Sequence, residues 1–501
     1  MTTYYIDPSA STNGDGSLAS PFNTWASVTW AAGNSYLQKA GTTFNGGITV
    51  GASGTSGNPI IISTYGSSDF ATIINSAGDG LAAGGRDYLQ ISNLKCTNCS
   101  SNGFSTRGNN ITYTNCIASY NTLAGFTWSM STSSSNRTYT NCQSLFNKAQ
   151  GIGSIGVAGG LTFDSFLFDS CTVAYNGVYP TTHFGIGIIL DTAATVGSSL
   201  TNITVSNCTV YNNAGDGIVV RKVTDAWPGA ATEYNGKVSI FKNRVYNNGN
   251  GGISVLRSVN GEIYQNTVFG NGTAGTLGGI WTGGCQNLQI RSNLVYNNTS
   301  NSYDGAGIFD DQYNLNTQVF DNRVFGQTHK DTTNPLFGGY GIAIYRTTNS
   351  IHYGNLVYNN NTNCFIGLTT QNCKIYNSSF FAPLYNSIWI WSNQNNANQI
   401  EIKNCIIESI LADNATVGTQ TISTNAISGT VQNVSPVSPI TGSLGLDKYF
   451  RIKASSPCIA TGLFLGLFSD LTKSSYQNPP SIGAYEYMRP RAALTQVRTF
   501  R

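Results

Sequence analysis

A short unit built from alternating apolar residues, Asn and Gly recurs along the 501-residue chain and constrains its fold more than any other feature. Residues 202–222 show the unit in full, as Asn-Ile-Thr-Val-Ser-Asn-Cys-Thr-Val-Tyr-Asn-Asn-Ala-Gly-Asp-Gly-Ile-Val-Val-Arg-Lys. Apolar residues fall at every second position in short runs bounded by Asn and Gly, which is typical of short strands joined by tight turns. The unit therefore predicts a stack of short β-strands.

Anchor asparagines mark successive units, roughly 22 to 37 residues apart, which is within the range of solenoid repeats. They are Asn93, Asn115, Asn141, Asn207, Asn243, Asn266, Asn293, Asn322, Asn355, Asn377 and Asn404, with Ser170 in one place. A Gly followed by an apolar residue opens the next strand in most units, and two late units lack the Gly, at Phe365-Ile366 and Ser387-Ile388. We predict an all-β fold, a single parallel β-helix of about 12 coils with a cap at each end. Asn tolerates the left-handed turn conformation, and its amide can bond to the Asn one coil away.

The repeat divides the chain into three parts. Residues 1–50 are irregular and are predicted to form an N-terminal cap, in which Thr24 caps a short helix carrying Trp25. Residues 51–410 carry the β-helix. From residue 411 the repeat decays, so residues 411–501 are expected to hold the last coils, a C-terminal cap and an arginine-bearing tail.

Composition excludes several classes of protein. Charged residues make up 10% of the chain and the net charge is +3, too small to indicate a nucleic-acid or anionic-membrane partner. No apolar run approaches the length of a membrane span. The N-terminus shows no signal peptide, so either a signal was removed or the protein is made in a cytoplasm.

The eleven cysteines are predicted to be buried thiols. Cys116, Cys142, Cys171 and Cys208 take one position of successive units, where stacked strands would bring them about 4.8 Å apart. That spacing would also permit some disulfides. Because Cys packs well in cores, and because Leu294, Leu356 and Thr267 are aligned with it in other units, we favour free thiols.

Several motifs resemble the pectate-lyase-like superfamily of right-handed parallel β-helices, over nearly the whole chain. Tyr5-Ile6-Asp7-Pro8 with Ser20–Trp25 is similar to its N-terminal cap, and Gly54–Ile60 to its first coil. Ser456–Ile459 and Ile482–Tyr487 are similar to its C-terminal signature. The resemblance implies a right-handed helix. The superfamily includes polysaccharide lyases, some glycoside hydrolases and phage tailspikes, so it also implies a polysaccharide partner and, as in many tailspikes, a homotrimer.

A strip of charged and aromatic residues is predicted on the strand that each Gly-Ile opens. If the Ile points inward, the residue after it and the one two further on point outward, because side chains alternate. One predicted outward column is Ile189, Val219, Ser254, Trp281, Phe309, Ala343, Gly367 and Trp389. The second is Asp191, Arg221, Leu256, Gly283, Asp311, Tyr345, Thr369 and Trp391, with Lys222, Arg257 and Arg346 at strand ends.

Acid–base pairs can cleave the links between sugars, and aromatic faces stack on sugar rings. The candidate catalytic residues are Asp191, Arg221, Lys222 and Asp311. The candidate substrate-binding residues are Asp216, Trp227, Arg257, Trp281, Asp304, Tyr345, Arg346, Trp389 and Trp391. A carboxylate pair for glycoside hydrolysis would join Asp311 to Asp191, Asp216 or Asp304.

Plainer interpretations stay open for the same residues. The three tryptophans can pack beneath a loop or against a partner subunit. Asp216 and Asp304 each precede a Gly and are also expected as ordinary turn residues. Arg221 is also a candidate ion-pair partner of Asp191. Asp310 and Asp311 are adjacent, so only one of the two is expected to face outward.

Long insertions lie near the strip, at residues 173–184, 223–236, 298–304 and 327–339, and such loops usually form the walls of a binding site. Trp227 lies in the second of them. His183 and His329 lie in two others and are more simply read as exposed. No cofactor is expected, and no metal site is assigned. Calcium is left open at the Asp cluster, although no loop has the acidic spacing of a dedicated site.

Two classes of function follow. The first is a polysaccharide-degrading lyase or glycoside hydrolase, secreted or carried on a phage tail, and the absent signal and free thiols favour the phage tail. The second is a non-catalytic β-helix that binds glycans or builds a virion or cell-surface appendage. The catalytic class is preferred, although no motif selects one enzyme family.

Overall fold

In the computed structural model, the chain folds into three long parallel sheets. It describes residues 1–128, 132–156, 160–177, 185–192, 197–222, 234–301, 305–330, 338–367, 369–391, 399–413, 420–433, 435–467 and 469–486. Each coil adds one strand to the first sheet, then one to the second and one to the third, and pairs in parallel with the coils before and after it. Neighbouring strands of each sheet therefore come from successive coils, and the molecule is a parallel β-helix.

The first sheet has 16 strands in the described part of the chain: Thr3–Ile6, Ser35–Lys39, Ile60–Tyr65, Leu89–Ser92, Ile111–Thr114, Ser134–Thr140, Thr162–Asp169, Ser199–Ser206, Val238–Phe241, Glu262–Tyr264, Gln289–Arg291, Gln318–Phe320, Ile351–Tyr353, Cys373–Tyr376, Ile400–Lys403 and Gln420–Ser423. The second also has 16: Thr43–Asn45, Ala71–Ile74, Leu94–Thr97, Ile117–Ser119, Gln143–Leu145, Thr172–Ala174, Thr209–Tyr211, Arg244–Tyr246, Thr267–Phe269, Leu294–Tyr296, Arg323–Phe325, Leu356–Tyr358, Ser379–Phe381, Ile406–Ile407, Ala426–Ile427 and Ile440–Thr441.

The third sheet has 15 strands among the same residues: Ile48–Thr49, Leu81–Gly84, Phe104–Thr106, Phe126–Thr127, Ile152–Gly156, Ile188–Thr192, Ile218–Arg221, Ile253–Leu256, Ile280–Gly283, Ala306–Asp310, Tyr340–Ile344, Thr362–Ile366, Asn386–Ile390, Ile410–Ala412 and Val431–Gln432. Thr299–Ser300 and Thr328–His329 form a separate two-stranded pair. Trp25–Ser27 is a single 3₁₀ turn.

Inward-facing residues of all three sheets fill one continuous core. In the third sheet Ile188, Ile218, Ile253 and Ile280 stack in register and are at most 1% exposed. Alternation places their neighbours on the outer face, as the sequence predicts. One late unit differs. Cys364, and not Ile366, aligns with Ile342, because the strand Thr362–Ile366 begins earlier than its Phe-Ile pair suggests.

Asparagine ladders hold successive coils together at two turns. In the turn between the first and second sheets, Asn266 accepts two hydrogen bonds from Asn243 and donates two to Asn293, all at 3.0 Å. A second buried ladder follows the second sheet and comprises Asn121, Asn147, Asn176, Asn213, Asn248, Asn271, Asn298 and Gln327. The prediction that amides bond from coil to coil is confirmed.

The anchor position is in fact two adjacent positions. Asn207 has a positive φ of 53° and is followed by the buried Cys208, whereas Lys242 takes that turn position in the next coil and is followed by the buried Asn243. Cys208 N–H donates to Asn243 Oδ1 at 2.9 Å, so thiol and amide occupy the same inward site. The predicted alignment of the cysteines with Leu294, Leu356 and Thr267 is therefore wrong by one residue.

All eleven cysteines are free and buried, which confirms the thiol prediction. Burial raises the pKa of the Cys285 and Cys405 thiols to about 12. These thiols are therefore protonated at neutral pH and act as small core side chains.

Each end of the chain packs against the helix in its own way. Strands within residues 1–50 already join all three sheets, and Thr24 caps the 3₁₀ turn by accepting from Ala26 N–H, as predicted. Beyond residue 411, four further strands extend the sheets up to Ile440–Thr441. The segment that follows turns back onto the second sheet, where the ring of Phe450 stacks on that of Phe381 with centroids 4.4 Å apart.

Candidate functional site

The outer face of the third sheet carries the strip that the sequence predicts. Strand registers stack Ile189 with Val219, Ser254 with Trp281, and Trp281 with Phe309 in one column. Asp191 and Arg221 are cross-strand partners in the second column. The late part differs from the prediction, because Phe365 lies in the first column between Ala343 and Trp389. Gly367, whose N–H donates to Ile344, takes the place that the prediction gives to Thr369.

Asp191 and Arg221 form an ion pair on this face. Arg221 Nε lies 2.7 Å from Asp191 Oδ2, the Asp191 side chain is 4% exposed and that of Arg221 is 26% exposed. Asp191 Oδ1 is buried and has no hydrogen-bond partner within the described residues. Burial raises the pKa of the Asp191 carboxyl, and the Arg221 charge opposes that rise. The pair therefore holds a partly desolvated acid beside an accessible cation.

Asp216 lies on the same coil as Arg221 but is engaged in the turn. Its Oδ1 accepts from Gly251 N–H at 2.6 Å and from Asn250 Nδ2 at 2.8 Å, both on the next coil. Burial raises its pKa, against these bonds and the Arg221 charge. Asp79, far along the helix, makes the same kind of contact with Asn102 of its next coil. This recurrence favours the structural interpretation of Asp216.

Lys222 and Arg257 are both buried. Lys222 is 1% exposed, and its ammonium donates to the Ser198 carbonyl, so it does not share the outer face with Arg221. Arg257 is 4% exposed and adopts a positive φ of 58° at the end of its strand. Of the three predicted strand-end cations, Arg346 is the one that stays half-exposed, with its guanidinium over the Tyr345 ring.

The adjacent aspartates Asp310 and Asp311 face opposite sides, as expected. Asp310 is fully buried inside the coil, where its carboxylate contacts His352 and Asn314. Asp311 lies on the outer side and accepts a 2.8 Å hydrogen bond from Trp281 Nε1. Asp311 follows a strand four coils from that of Asp191, a separation of roughly 19 Å. This exceeds the 5–10 Å of a glycosidase carboxylate pair, so Asp311 and Asp191 do not form one.

The predicted aromatic residues pack into a cluster on the outer face. Phe309, Phe365 and Trp389 are each 4% exposed, and half-buried Trp281, Tyr345 and Trp391 pack around them. Trp389 Nε1 donates to Asp413 at 2.8 Å. Asp413 was not singled out by the sequence, and its place on the coil after Trp389 is the one signal that could have identified it. In this arrangement Trp389 offers no open face to a sugar.

Two predicted site residues, Trp227 and Asp304, and also His183, lie outside the described residues. Among the residues that the structure does describe, no three His, Cys, Asp or Glu side chains gather as a metal site would require. The calcium expectation stays a prediction. In the same part of the chain there is no helix of the length and apolarity needed to span a membrane.

A family comparison agrees with the architecture. Residues 201–350 match the family described as right handed beta helix region. A search of curated proteins finds no significant match. The solved structures that resemble the chain include GH136 lacto-N-biosidase from Eubacterium ramulus, with 12% identity, a TM-score of 0.41 and coverage of 85% of this chain and 68% of that one.

Two further similar structures are a pectate lyase and a phage protein. Pectate lyase Pel9A has 16% identity and a TM-score of 0.28 and covers 97% of this chain and 96% of its own. Bacteriophage CBA120 tailspike protein 3 has 10% identity and a TM-score of 0.46, over 74% of this chain and 56% of its own. Residues 201–350 thus match a family of right-handed β-helix regions, and the described chain winds as a parallel β-helix.

Proposed function

We propose that the protein is a carbohydrate-active β-helix that cleaves a polysaccharide on the outer face of its third sheet, at Asp191 and Arg221. One observation carries the proposal. Asp191 is a buried carboxyl with one oxygen on Arg221 and the other without a protein partner in the described structure. A buried polar atom without a partner needs an explanation, and a ligand group is one.

The chemistry of the pair suits bond cleavage in a glycan. A carboxyl whose pKa is raised by burial keeps its proton closer to neutral pH, which a general acid needs to protonate a leaving oxygen. Within the part of the chain that the structure describes, Arg221 bonds through Nε, and its terminal nitrogens can hold an acidic or hydroxyl substituent of the substrate. Arg221 is not proposed as the base, because a guanidinium beside a carboxylate keeps its proton.

Glycan binding without cleavage is the second candidate. The distance between Asp191 and Asp311 and the burial of Lys222 and Trp389 favour it. In either case we propose a setting outside the cell, secreted or on a phage tail, and a homotrimer as the assembly. Sedimentation of the purified chain tests the trimer directly.

A depolymerisation assay separates the two candidates. Capsular and uronic-acid polysaccharides are incubated with the wild type, Asp191→Asn, Arg221→Ala and the control Asp169→Asn, whose carboxylate lies on the first sheet. New reducing ends with ultraviolet-absorbing unsaturation identify a lyase, and reducing ends without it a hydrolase. We expect the first two variants to lose cleavage and the control to keep it. Full cleavage by both would reject this site, and binding without cleavage by the wild type would favour the second candidate.

A further inference from the structure

Two concave surfaces on the outer face of the first sheet occupy the same structural position in different coils. One, of about 450 Å³, is lined by Asn260, Gly261, Glu262, Asn287, Gln289, Asn316 and Gln318. The other, of about 730 Å³, includes Tyr88, Gln90, Asn110, Thr112, Asn136 and Thr138. Both volumes are typical of ligand pockets. Neither surface belongs to the strip on the third sheet.

Most coils between Leu89 and Phe320 place a similar pair of residues on this face, although the coil of the strand Val238–Phe241 lacks the positive-φ residue. A turn residue with positive φ is followed two positions later by an outward residue of the strand, as in Asn287 and Gln289 or Asn110 and Thr112. Strand pairing then stacks the pairs in two parallel rows. We call this face, from the strand Leu89–Ser92 to the strand Gln318–Phe320, the furrow. It runs roughly 38 Å along the helix axis, with one concave surface near each end.

The polar groups of the furrow are regularly spaced, and some of them are available to bond to a ligand. Asn287 donates to Asn260 at 3.1 Å and Asn316 donates to Asn287 at 3.1 Å, which fixes the turn amides in a row. The half-exposed side-chain amides of Gln289 and Gln318 have no hydrogen-bond partner among the described residues. Adjacent strands place these amides about 4.8 Å apart, close to the length of one sugar ring.

Charged groups in the 450 Å³ section are few, with one carboxylate beside two cations. Glu262 is the carboxylate, and it pairs with Lys237 at 2.8 Å and Arg291 at 2.9 Å. These cations lower the Glu262 pKa and keep it ionised. Amides and hydroxyls, which both donate and accept, dominate the remaining lining. We propose that the furrow binds an extended neutral polysaccharide parallel to the helix axis, as a second glycan site independent of cleavage.

Titration calorimetry with cellohexaose, maltohexaose and xylohexaose tests the furrow, with hexagalacturonate as the charged comparison. We expect at least one neutral hexasaccharide to bind more tightly than its trisaccharide, because a longer chain spans more coils. Gln289→Leu/Gln318→Leu should weaken that binding about tenfold, since several amide hydrogen bonds are lost. The control Gln143→Leu changes an outward Gln on the second sheet and should leave binding unchanged.

Several results would overturn the proposal. They are no binding of any neutral hexasaccharide, unchanged affinity in the double variant with native circular dichroism, or hexagalacturonate binding as tightly as the neutral chains. Asp191→Asn is measured in parallel and should keep full hexasaccharide affinity. Failure of the cleavage site therefore leaves this measurement intact, and failure of the furrow leaves the cleavage assay intact.

Discussion

His352 Nε2 lies 3.1 Å from Asp310 Oδ2 inside the coil, where both side chains are at most 2% exposed. Asn314 Nδ2 donates to the other carboxylate oxygen at 2.7 Å. The surrounding core is apolar, with Ile344 and Ile375 as strand neighbours of the two residues. This polar pair thus depends on its own partners for solvation.

His352→Leu should lower the free energy of unfolding by about 3 kcal/mol, because a buried carboxylate loses a partner. Asp310→Leu/His352→Leu should recover much of that loss, since no unpaired charge remains and Asn314 keeps Thr282 as a partner. Chemical denaturation of the four proteins of this double-mutant cycle measures both effects. A double variant less stable than His352→Leu would contradict the interpretation.

Asn266→Ala should cost about 3 kcal/mol of stability. It leaves the buried Asn243 N–H without its acceptor. It also removes one of the two acceptors of Asn243 Nδ2, which keeps the Val205 carbonyl, and one donor to the Ile240 carbonyl. Asn287→Gly is the matched control, because it breaks an exposed ladder at a positive-φ site that glycine accepts. Its cost should stay under about 1 kcal/mol, as urea titration can show. Equal losses in the two variants would mean that burial is not what gives the inner ladder its strength.

Asp216→Asn should flatten the dependence of stability on pH. Burial raises the pKa of folded Asp216 above its ordinary value of 3.8, so the folded chain binds this proton more tightly than the unfolded one. This stabilisation is complete at a pH below the pKa of Asp216 in the unfolded chain, and it is lost as the pH rises through the pKa of Asp216 in the folded chain. The measurement is the free energy of unfolding of the wild type, Asp216→Asn and the exposed control Asp69→Asn between pH 3 and 7, about the span in which carboxyls titrate. The prediction would be contradicted if the difference in the free energy of unfolding between the wild type and Asp216→Asn did not vary with pH.

The thiols should resist alkylation while the protein is folded. All eleven are buried, and the thiol pKa is raised to about 12 at Cys285 and Cys405, so thiolate is scarce. Iodoacetamide followed by mass spectrometry should show almost no adducts in buffer and eleven in denaturant. A cysteine modified rapidly in buffer would show that its coil opens locally.

Lys473→Ala should loosen the C-terminal segment from the helix. Lys473 pairs with Asp321, which is 5% exposed, and that pairing opposes the rise that burial causes in the Asp321 pKa. We expect a loss of about 1 kcal/mol and faster proteolysis within residues 444–486. Lys148→Ala, at an exposed position, is the control. If Lys473→Ala were proteolysed at the same rate as the wild type, the apolar contacts of this segment alone would hold it on the helix.

The winding of the chain was predictable because its signals are local. Apolar alternation fixes which side chain faces inward, and Asn marks each turn, so the parallel coils and the outward positions of Trp281 and Arg221 follow from the sequence. The register of single coils was less accessible. Asn and Cys both suit the inward turn position. The sequence pattern therefore aligned Asn243 with Asn207, whereas in the structure Asn243 aligns with Cys208.

The candidate site was predictable only in part. Alternation correctly places Asp191 beside Arg221, because pairing in a parallel sheet is fixed by register. It says nothing of burial on the outer face, which depends on neighbouring coils. The sequence therefore left sugar stacking and packing as alternatives for Trp389, and it did not predict that Lys222 is buried. The furrow was not predicted because Asn at turns and Gln at outward strand positions look like ordinary surface residues.

The folded-back segment after Thr441 has a consequence for how the chain matures. Its contacts reach earlier coils: Ala484 N–H donates to Ser379, and Leu463 bonds to Asn404 through both its N–H and its carbonyl. These residues leave the ribosome after the coils that they contact. The coils can therefore wind before this segment has been made, whereas its contacts with the distal coils form only after residue 484 has been synthesised.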